Sequence, residues 1–189
     1  MGVVRAFAAV PVPVEITRRM AGVIANARRD CSGVKWVDPA NMHITLKFFG
    51  DVPVSRVDDL TAVLVAAAAE HRVFEVGVQG VGAFPSADRP RVFWAGIGQC
   101  GDALISLAGS VERATTEAGF PPSDRPFSPH LTLGRVRPDA QVHGLPEGLS
   151  VCVGKPWGSI SVDGITLYSS VLRPAGPMYT VIRYAPLLP

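Results

Sequence analysis

The tetrapeptide His43-Ile44-Thr45-Leu46 is repeated later in the chain as His130-Leu131-Thr132-Leu133. Both copies have the pattern of a β-strand, in which residues two apart point to the same face. Each copy therefore presents a histidine and a threonine on one face and buries aliphatic residues on the other. If the two strands lie next to each other, two imidazoles and two hydroxyls converge on one pocket.

Two imidazoles at one pocket are suited to acid–base catalysis, because the ordinary pKa of histidine lies near neutrality. One ring must be neutral to take a proton and the other must be charged to give one, so the rate should fall at both pH extremes. The paired threonine hydroxyls can donate hydrogen bonds to a tetrahedral anion between the strands. The pattern predicts chemistry at a phosphoryl group, without a metal ion or another cofactor.

A metal site is the main alternative for these histidines, since neutral imidazole is a common zinc ligand. Such a site needs further ligands, and the two remaining histidines, His71 and His143, have no His, Cys or carboxylate at ligand spacing. A Ser-His-Asp triad is disfavoured because the sequence contains no Gly-x-Ser-x-Gly elbow. We therefore predict that no metal is bound.

The composition is that of an ordinary folded protein, with 48% hydrophobic and 18% charged residues in a chain of 189. A formal net charge of +2 is too small to indicate nonspecific nucleic-acid binding. Three dispersed cysteines without a CxxC pair favour a reduced, cytoplasmic setting. The longest smooth apolar run, residues 62–69, is too short to span a bilayer.

Hydrophobic periodicity and turn residues predict an α+β fold of antiparallel sheets with helices on their outer faces. The order of elements suggests two similar lobes within a single domain, residues 1–189, with a cleft between them that carries both motif strands. Residues 31–41 are expected to form a loop, and Ser55 to be the N-cap of a helix that runs to residue 70. The other predicted helices cover residues 13–29 and 102–118, and strands are predicted over residues 3–10, 42–50, 74–81, 91–97, 130–136, 149–153, 159–169 and 178–184.

The two motifs resemble those of the two-histidine (2H) phosphoesterases, and within that family the bacterial and archaeal RNA 2',3'-cyclic phosphodiesterases, also called 2'-5' RNA ligases. The likeness extends over nearly the whole chain, although Phe49 stands where leucine is more usual. Beside the motifs it rests on these segments: Arg5-Ala6-Phe7-Ala8-Ala9-Val10, Trp36-Val37-Asp38-Pro39, Pro90-Arg91-Val92-Phe93-Trp94, Phe127-Ser128-Pro129, Leu167-Tyr168-Ser169-Ser170 and Gly176-Pro177-Met178-Tyr179.

The resemblance implies hydrolysis of a terminal 2',3'-cyclic phosphate on RNA to a 2'-phosphate, without a cofactor. It makes His43 the proton donor to the departing O3' and His130 the base that activates water. Thr45 and Thr132 would hold the nonbridging oxygens. With an RNA 5'-hydroxyl in place of water, the same groups would form a 2'-5' linkage as a side reaction. The expected partners are RNA ends or small cyclic nucleotides, met by a monomer that has no membrane association.

The directions in which two charged side chains near the motifs point depend on local strand geometry. Strict alternation would turn Arg135 away from His130, but the resemblance associates it with the substrate, and Gly134 could permit a bulge that re-aims it. Lys47 shares the face of His43 by alternation, and it is expected to reach solvent. Some aromatic residues could stack a nucleobase, although core packing is expected for most of them; they are Phe7, Phe48, Trp94 and Tyr168.

Two other functions remain open from the sequence. A two-histidine enzyme could act on another cyclic phosphate, for example one on ADP-ribose, because the loops that would recognise the base have no clear pattern. The chain could also be an RNA- or nucleotide-binding module without turnover. Two intact His-Thr pairs favour the enzyme, because binding alone needs no matched acid and base.

Overall fold

The computed structural model of the protein describes residues 2–174 and 176–189. Its helices within these residues are α1 (Val14–Asp30), α2 (Val57–Ala68), α3 (Gly101–Glu117) and α4 (Glu147–Ser150). Its strands there are β1 (Val3–Pro11), β2 (Val34–Trp36), β3 (His43–Pro53), β4 (Phe74–Phe84), β5 (Val92–Ile97), β6 (His130–Val136), β7 (Pro156–Val162), β8 (Gly164–Arg173) and β9 (Gly176–Pro186).

The strands form two antiparallel sheets, which confirms the predicted α+β class. The first sheet has the order β3-β1-β8-β9, and the second has the order β2-β6-β5-β4-β7. Each sheet contains one motif strand: β3 is an edge strand of the first sheet, and β6 lies between β2 and β5 in the second. The motif strands do not pair by hydrogen bonds, but β3 and β6 contact each other where the two sheets meet.

Helices cover one face of each sheet and leave the motif histidines on the other. Helix α2 packs on β8 and β9 of the first sheet, α1 packs on β2 and β7 of the second, and α3 contacts β3 and β4, one strand from each. In α1 the buried residues recur at helical spacing, the pattern of a helix with one apolar face; they are Ile16, Met20, Val23, Ile24 and Ala27. No helix in the described part of the chain is both long enough and apolar enough to cross a membrane.

The strand predicted over residues 159–169 is wrong, because the chain changes sheets within it. Residues up to Val162 belong to β7 of the second sheet, and residues from Gly164 onward belong to β8 of the first. Gly164 begins β8, and a Cβ there would collide with the ring of Tyr184 on the paired strand β9. The phase of the apolar alternation changes at this point, from Ile160 and Val162 to Ile165 and Leu167, and the intervening Asp163-Gly164 is a turn signal that the predicted strand ran across.

The strand predicted over residues 149–153 is also wrong, because this segment begins within the short helix α4. Leu149 and Cys152 are buried, whereas Val151 and Val153 are exposed by 73% and 63%. Buried positions three apart belong to a helical turn rather than to a strand. Gly148 allows this turn to lie against α1, since a Cβ would come within 2.6 Å of the backbone nitrogen of Ala27.

Two local predictions around the first motif need correction. The segment 31–41 is not only a loop, because it contains the strand β2 and a 3-10 turn at Pro39–Asn41. A strand of three residues is too short to show a recognisable alternation. Ser55 is not an N-cap: it lies inside a 3-10 turn, Val54–Arg56, and α2 starts after Arg56 without a side-chain cap. That helix ends at Ala68, two residues earlier than predicted.

Candidate active site

A β-bulge interrupts the first motif strand. On the paired strand β1, consecutive residues face Lys47 and Thr45, so Leu46 is the extra residue. An extra residue reverses the alternation of the side chains that follow it. Lys47 is consequently turned to the helix-covered face, where it is only 2% exposed, and the prediction that it reaches solvent is wrong. Phe48 is turned to the opposite face, which carries His43, and is 49% exposed.

The second motif strand has a bulge at the same place. On β5, consecutive residues face Gly134 and Thr132, which leaves Leu133 as the extra residue. The bulge expected near Gly134 is confirmed, and it returns Arg135 to the face that carries His130. Since both bulges fall on the leucine of the motif, Arg135 and Phe48 occupy equivalent positions, five residues after their histidines. The two halves thus use one backbone design to present a cation in one and an aromatic ring in the other.

The same type of hydrogen bond orients both motif histidines. Nδ1 of His43 lies 2.8 Å from the backbone oxygen of Asn41, and Nδ1 of His130 lies 2.7 Å from that of Ser128. A carbonyl oxygen can only accept, so this bond assigns the proton to Nδ1 in both rings and leaves Nε2 to exchange protons. Asn41 is itself held, because its side-chain amide donates to the oxygen of Pro177 at 3.0 Å.

Aromatic rings pack around both imidazoles. The ring of His43 lies 4.7 Å from that of Phe7 and meets the ring of Tyr179 edge-on at 5.3 Å, both measured between centroids. The ring of His130 meets that of Phe84 edge-on at 5.1 Å. These contacts, with the backbone bonds to Nδ1, restrict each imidazole to one orientation, as a group that transfers protons requires.

The pKa of each motif histidine is lower than the ordinary value of 6.5. For His43 burial is the main cause; the hydrogen bond to Asn41 acts in the opposite direction, and the positive charges of Arg135 and His130 lower the pKa further. Burial also lowers the pKa of His130, against the bond to Ser128 and together with Arg135. Arg135 thus lies within electrostatic reach of both imidazoles, and His130 within reach of His43.

A cleft of about 740 Å³ opens beside the first motif. Its walls include His43, Thr45 and Arg135, but neither His130 nor Thr132. These last two precede Arg135 on the same face of β6, according to the alternation and the bulge. The structure therefore brings three of the five predicted site residues to one cavity and places the other two on the adjoining part of the second motif strand.

The cleft is positively charged. Its only carboxylate in the described part of the chain is that of Asp38, which accepts a hydrogen bond from the backbone N–H of Ala40 at 2.9 Å. Within residues 2–174 and 176–189, none of its cations forms an ion pair with a carboxylate. A cleft lined with unpaired cations attracts anions. The cations that line the cleft are Arg5, Lys35, Arg135 and Arg173. Of these four, only Arg135 was predicted from the sequence to be a site residue.

Of the four aromatic residues that could stack a base, with core packing expected for most, Phe48 has the most accessible ring in the cleft. Phe7 is buried beneath His43, and Tyr168 stacks on Phe7 with 5.2 Å between their ring centroids. Trp94 lies opposite Thr132 on the paired strand and packs on Phe84, and it is not among the residues that wall the cleft. The guanidinium of Arg5 lies 4.7 Å from the centroid of the Phe48 ring.

No group of three or more His, Cys, Asp or Glu side chains with a metal-binding arrangement occurs in residues 2–174 and 176–189. The three cysteines are free thiols, and only Cys100 is exposed. The arrangement beside the cleft instead offers two imidazoles, two hydroxyls and a guanidinium. These groups can transfer protons and bind the oxygens of an anion.

Comparison with known proteins relates the chain to one family over most of its length. A family model described as LigT like Phosphoesterase matches residues 10–94 and 97–179, and each match contains one motif. The RNA 2',3'-cyclic phosphodiesterase of Methanothermobacter thermautotrophicus is 33% identical over 177 residues, which cover 94% of this chain and 95% of that protein. The protein of the same name from Archaeoglobus fulgidus is 34% identical over 183 residues, which cover 95% and 98%.

Solved structures agree with this relationship. A protein of Thermus thermophilus superposes with a TM-score of 0.81 at 29% identity and covers 97% of both chains. The LigT protein of E. coli, in a complex with 3'-AMP, superposes with a TM-score of 0.74 at 26% identity and covers 98% of both. The chain repeats the His-x-Thr-Leu motif, its two antiparallel sheets meet at those motifs, and phosphodiesterases match it over most of its length. The chain therefore belongs to the LigT-like phosphoesterase family.

Proposed function

We propose that this protein hydrolyses terminal 2',3'-cyclic phosphates on RNA to 2'-phosphates, and that it does so without a metal ion. The observation that carries the proposal is that both histidines are held in the same way, by a hydrogen bond from Nδ1 to the backbone oxygen two residues earlier. Both imidazoles keep Nε2 for proton exchange, and Arg135 lies within electrostatic reach of both. The names of the relatives from Methanothermobacter and Archaeoglobus support the substrate, and the 3'-AMP complex of E. coli LigT supports nucleotide binding in this fold.

In the proposed reaction the two histidines act on opposite sides of the phosphorus atom. Nε2 of His130 takes a proton from water while the water oxygen forms a bond to phosphorus. The bond between phosphorus and O3' breaks, and protonated Nε2 of His43 gives its proton to the departing O3'. The products are a 3'-hydroxyl and a 2'-phosphate. The histidines then return to their starting protonation states by exchange with solvent.

Threonine and arginine stabilise the charge on the phosphoryl oxygens in this proposal. The hydroxyls of Thr45 and Thr132 donate to the nonbridging oxygens, and the guanidinium of Arg135 neutralises their charge. Removing one such donor from a preorganised site typically costs about 10²- to 10³-fold in rate. The strained five-membered ring of the substrate is already raised in energy, so positioning and proton transfer suffice for the remaining barrier.

The lowered pKa values of the two histidines suggest that the bound substrate itself helps to protonate the acid. In the free protein, burial and the charge of Arg135 favour the neutral form of both imidazoles. A phosphodiester anion next to His43 would raise its pKa, because a nearby opposite charge stabilises the charged form. Binding of the substrate therefore helps to create the acid, and the positive charge of His43 then opposes protonation of His130, which can serve as the base.

We propose 2'-5' ligation as a side reaction of the same groups. If an RNA 5'-hydroxyl takes the place of water, His130 removes its proton, and the product is a 2'-5' phosphodiester instead of a 2'-phosphate. Water is present at far higher concentration than RNA ends, so hydrolysis should dominate.

The test is the turnover of an RNA oligonucleotide that ends in a 2',3'-cyclic phosphate, in the presence of excess EDTA. Phosphorus NMR should show a 2'-phosphate product, which would support a metal-independent phosphodiesterase. Rate loss that is restored by a divalent cation would refute the metal-independent mechanism. Preferential turnover of a cyclic phosphate on ADP-ribose would refute RNA as the substrate, and binding without turnover would indicate a binding module.

Variants of the histidines connect this activity with the site. His43→Ala and His130→Ala should each lower kcat by at least about 10²-fold, the lower end of what a general acid or base contributes. His143→Ala is the matched control: His143 is exposed and lies outside the cleft, so the activity should be kept. Near wild-type activity in either motif variant would show that the acid–base assignment is wrong.

A further inference from the structure

Two cations face each other across strands β2 and β6. Lys35 on β2 lies directly opposite Arg135 on β6 in the antiparallel register. Directly opposite residues point to the same face, with their Cβ atoms about 5 Å apart. Both side chains wall the cleft, and Lys35 is exposed.

This arrangement is unfavourable in the absence of an anion. Like charges at directly opposite positions of an antiparallel pair destabilise it. Neither Lys35 nor Arg135 forms an ion pair with a carboxylate of the described residues. A lysine on an edge strand such as β2 also discourages pairing with other chains, but that function does not require a second cation opposite it. The pair therefore indicates a ligand with negative charge that bridges or spans the two side chains.

The two cations lie at different distances from the reacting groups. Arg135 lies on β6, the strand that carries His130, and its charge acts on the pKa of both His43 and His130. Lys35 lies on β2, the outermost strand of the sheet, beyond β6. Starting from the imidazoles, an anion would thus meet Arg135 first and Lys35 second.

We propose that Lys35 binds the phosphodiester that precedes the terminal nucleotide of the substrate, with Arg135 between this phosphate and the reacting one. This inference rests on the proposed function and makes it more specific. The enzyme would act on the end of an RNA strand in preference to a free cyclic mononucleotide, because only a strand supplies the second phosphate. Lys35 is then a specificity-determining residue, which contributes to binding and takes no part in proton transfer.

The experiment compares two substrates that differ in this phosphate. One is 2',3'-cyclic AMP, and the other is a trinucleotide that ends in the same cyclic nucleotide. Lys35→Gln should lower kcat/KM for the trinucleotide by about tenfold, the order of one charge-assisted contact. The loss for cyclic AMP should be several times smaller. Lys35→Arg, which retains the charge, should restore most of the preference for the trinucleotide.

Salt dependence gives a second readout for Lys35. For the wild type, log(kcat/KM) with the trinucleotide should fall as log[salt] rises, and Lys35→Gln should reduce that slope by about 0.7, the value for one phosphate contact of a single strand. Arg18→Gln is the matched control, because Arg18 is an exposed cation of α1 outside the cleft. Equal losses for both substrates, or no loss for either, would overturn the proposal.

Two further results separate this inference from the proposed function. If Arg173→Gln, and not Lys35→Gln, abolishes the preference for the trinucleotide, the strand leaves the cleft along β8 and the inference is wrong while the function stands. If the wild type hydrolyses neither substrate, the proposed function fails. Fluorescence anisotropy with a labelled trinucleotide 2'-phosphate then still decides the inference: Lys35→Gln must weaken its binding by about tenfold, and unchanged binding overturns it.

Discussion

Nζ of Lys47 lies 3.0 Å from a carboxylate oxygen of Glu112 in α3, directly behind the first motif. The ammonium is almost completely buried and forms no well-aligned hydrogen bond within the described residues, so its contact with Glu112 is an ion pair. The same carboxylate accepts hydrogen bonds from the hydroxyl and the backbone N–H of Ser123, at 2.7 and 2.8 Å. Glu112 thus connects the first motif strand with the segment that leads to the second.

We expect Glu112→Gln to be more destabilising than Lys47→Met. Loss of Glu112 leaves a buried ammonium without a counter-charge, which costs about 3 to 5 kcal/mol for a fully buried pair and less here, since the Glu112 side chain is 35% exposed. Lys47→Met removes the buried charge and keeps a long apolar side chain, a change that is often nearly neutral. Urea denaturation measures both free energies of unfolding, and an equal or larger loss for Lys47→Met would contradict this account.

The contribution of Glu112 to stability should depend on pH. Burial alone would raise its pKa, but the hydrogen bonds from Ser123 and the charge of Lys47 outweigh burial and hold the pKa below 4.5. A carboxyl group with a depressed pKa stabilises the fold above its unfolded-state pKa, and this contribution is lost as the pH falls through the folded-state value. The difference in unfolding free energy between wild type and Glu112→Gln should therefore shrink below about pH 4.5.

The pH dependence of kcat/KM should be bell-shaped, with its maximum below pH 6.5. This parameter reports the free enzyme, in which the pKa values of His43 and His130 are both lowered. Activity falls on the acid side when His130 becomes protonated, and on the alkaline side when His43 loses its proton. Arg135→Gln removes a positive charge from both rings, so its profile should move to higher pH while the rate falls. A maximum above pH 7 for the wild type would contradict the lowered pKa values of the two histidines.

Gly134→Ala should weaken the second motif. A Cβ at this position would come within 2.8 Å of the side chains of Trp36 and Val34 on β2. Overpacking of this kind typically costs about 1 to 3 kcal/mol. It should also disturb the adjoining pair of Lys35 and Arg135, and so reduce the preference for longer substrates.

The matched control for this change is Gly109→Ala in α3. Gly109 has no neighbouring atom within 4 Å of an added Cβ, apart from its own helix. Alanine should therefore stabilise the protein there by about 0.5 to 1 kcal/mol through its higher helix propensity. Thermal or urea unfolding of the two variants should give shifts of opposite sign, and a destabilised Gly109→Ala would invalidate the comparison.

Phe48→Ala should weaken nucleotide binding more than it slows the chemical step. The ring is half exposed in the cleft, and stacking of a base on an aromatic ring contributes about 1 to 3 kcal/mol. We expect KM for a cyclic nucleotide to rise by about tenfold or more, with a smaller change in kcat. Phe48→Tyr keeps the aromatic face and serves as the control. If both variants behave like the wild type, no base stacks on this residue.

The family and the strand faces of the two motif histidines could be predicted from the sequence because their signal is local. A period of two assigns His43 and Thr45 to one strand face, and a second copy with His130 and Thr132 marks the pair as a unit. The position of Arg135 could be predicted only in part: Gly134 suggested a bulge, but the bulge falls on Leu133, where the hydrogen bonds to β5 place it.

Other features depend on contacts between segments far apart in the chain. The break between β7 and β8 has a local signal in Asp163-Gly164, but the sheet that each segment joins is set by its pairing with distant strands. The burial of Lys47 follows from a bulge that exists only in pairing with β1, and the pairing of Lys35 with Arg135 follows from the register of a three-residue strand.

The sequence by itself determined the two His-Thr pairs on strands and the family to which the protein belongs. Only the tertiary structure decided how these groups are surrounded: which carbonyl orients each imidazole, which cation acts on both, and which further cations line the cleft. The physical reason is the range of the interactions. Strand periodicity is a property of neighbouring residues, whereas register, bulges and the electrostatic field arise when two distant strands meet.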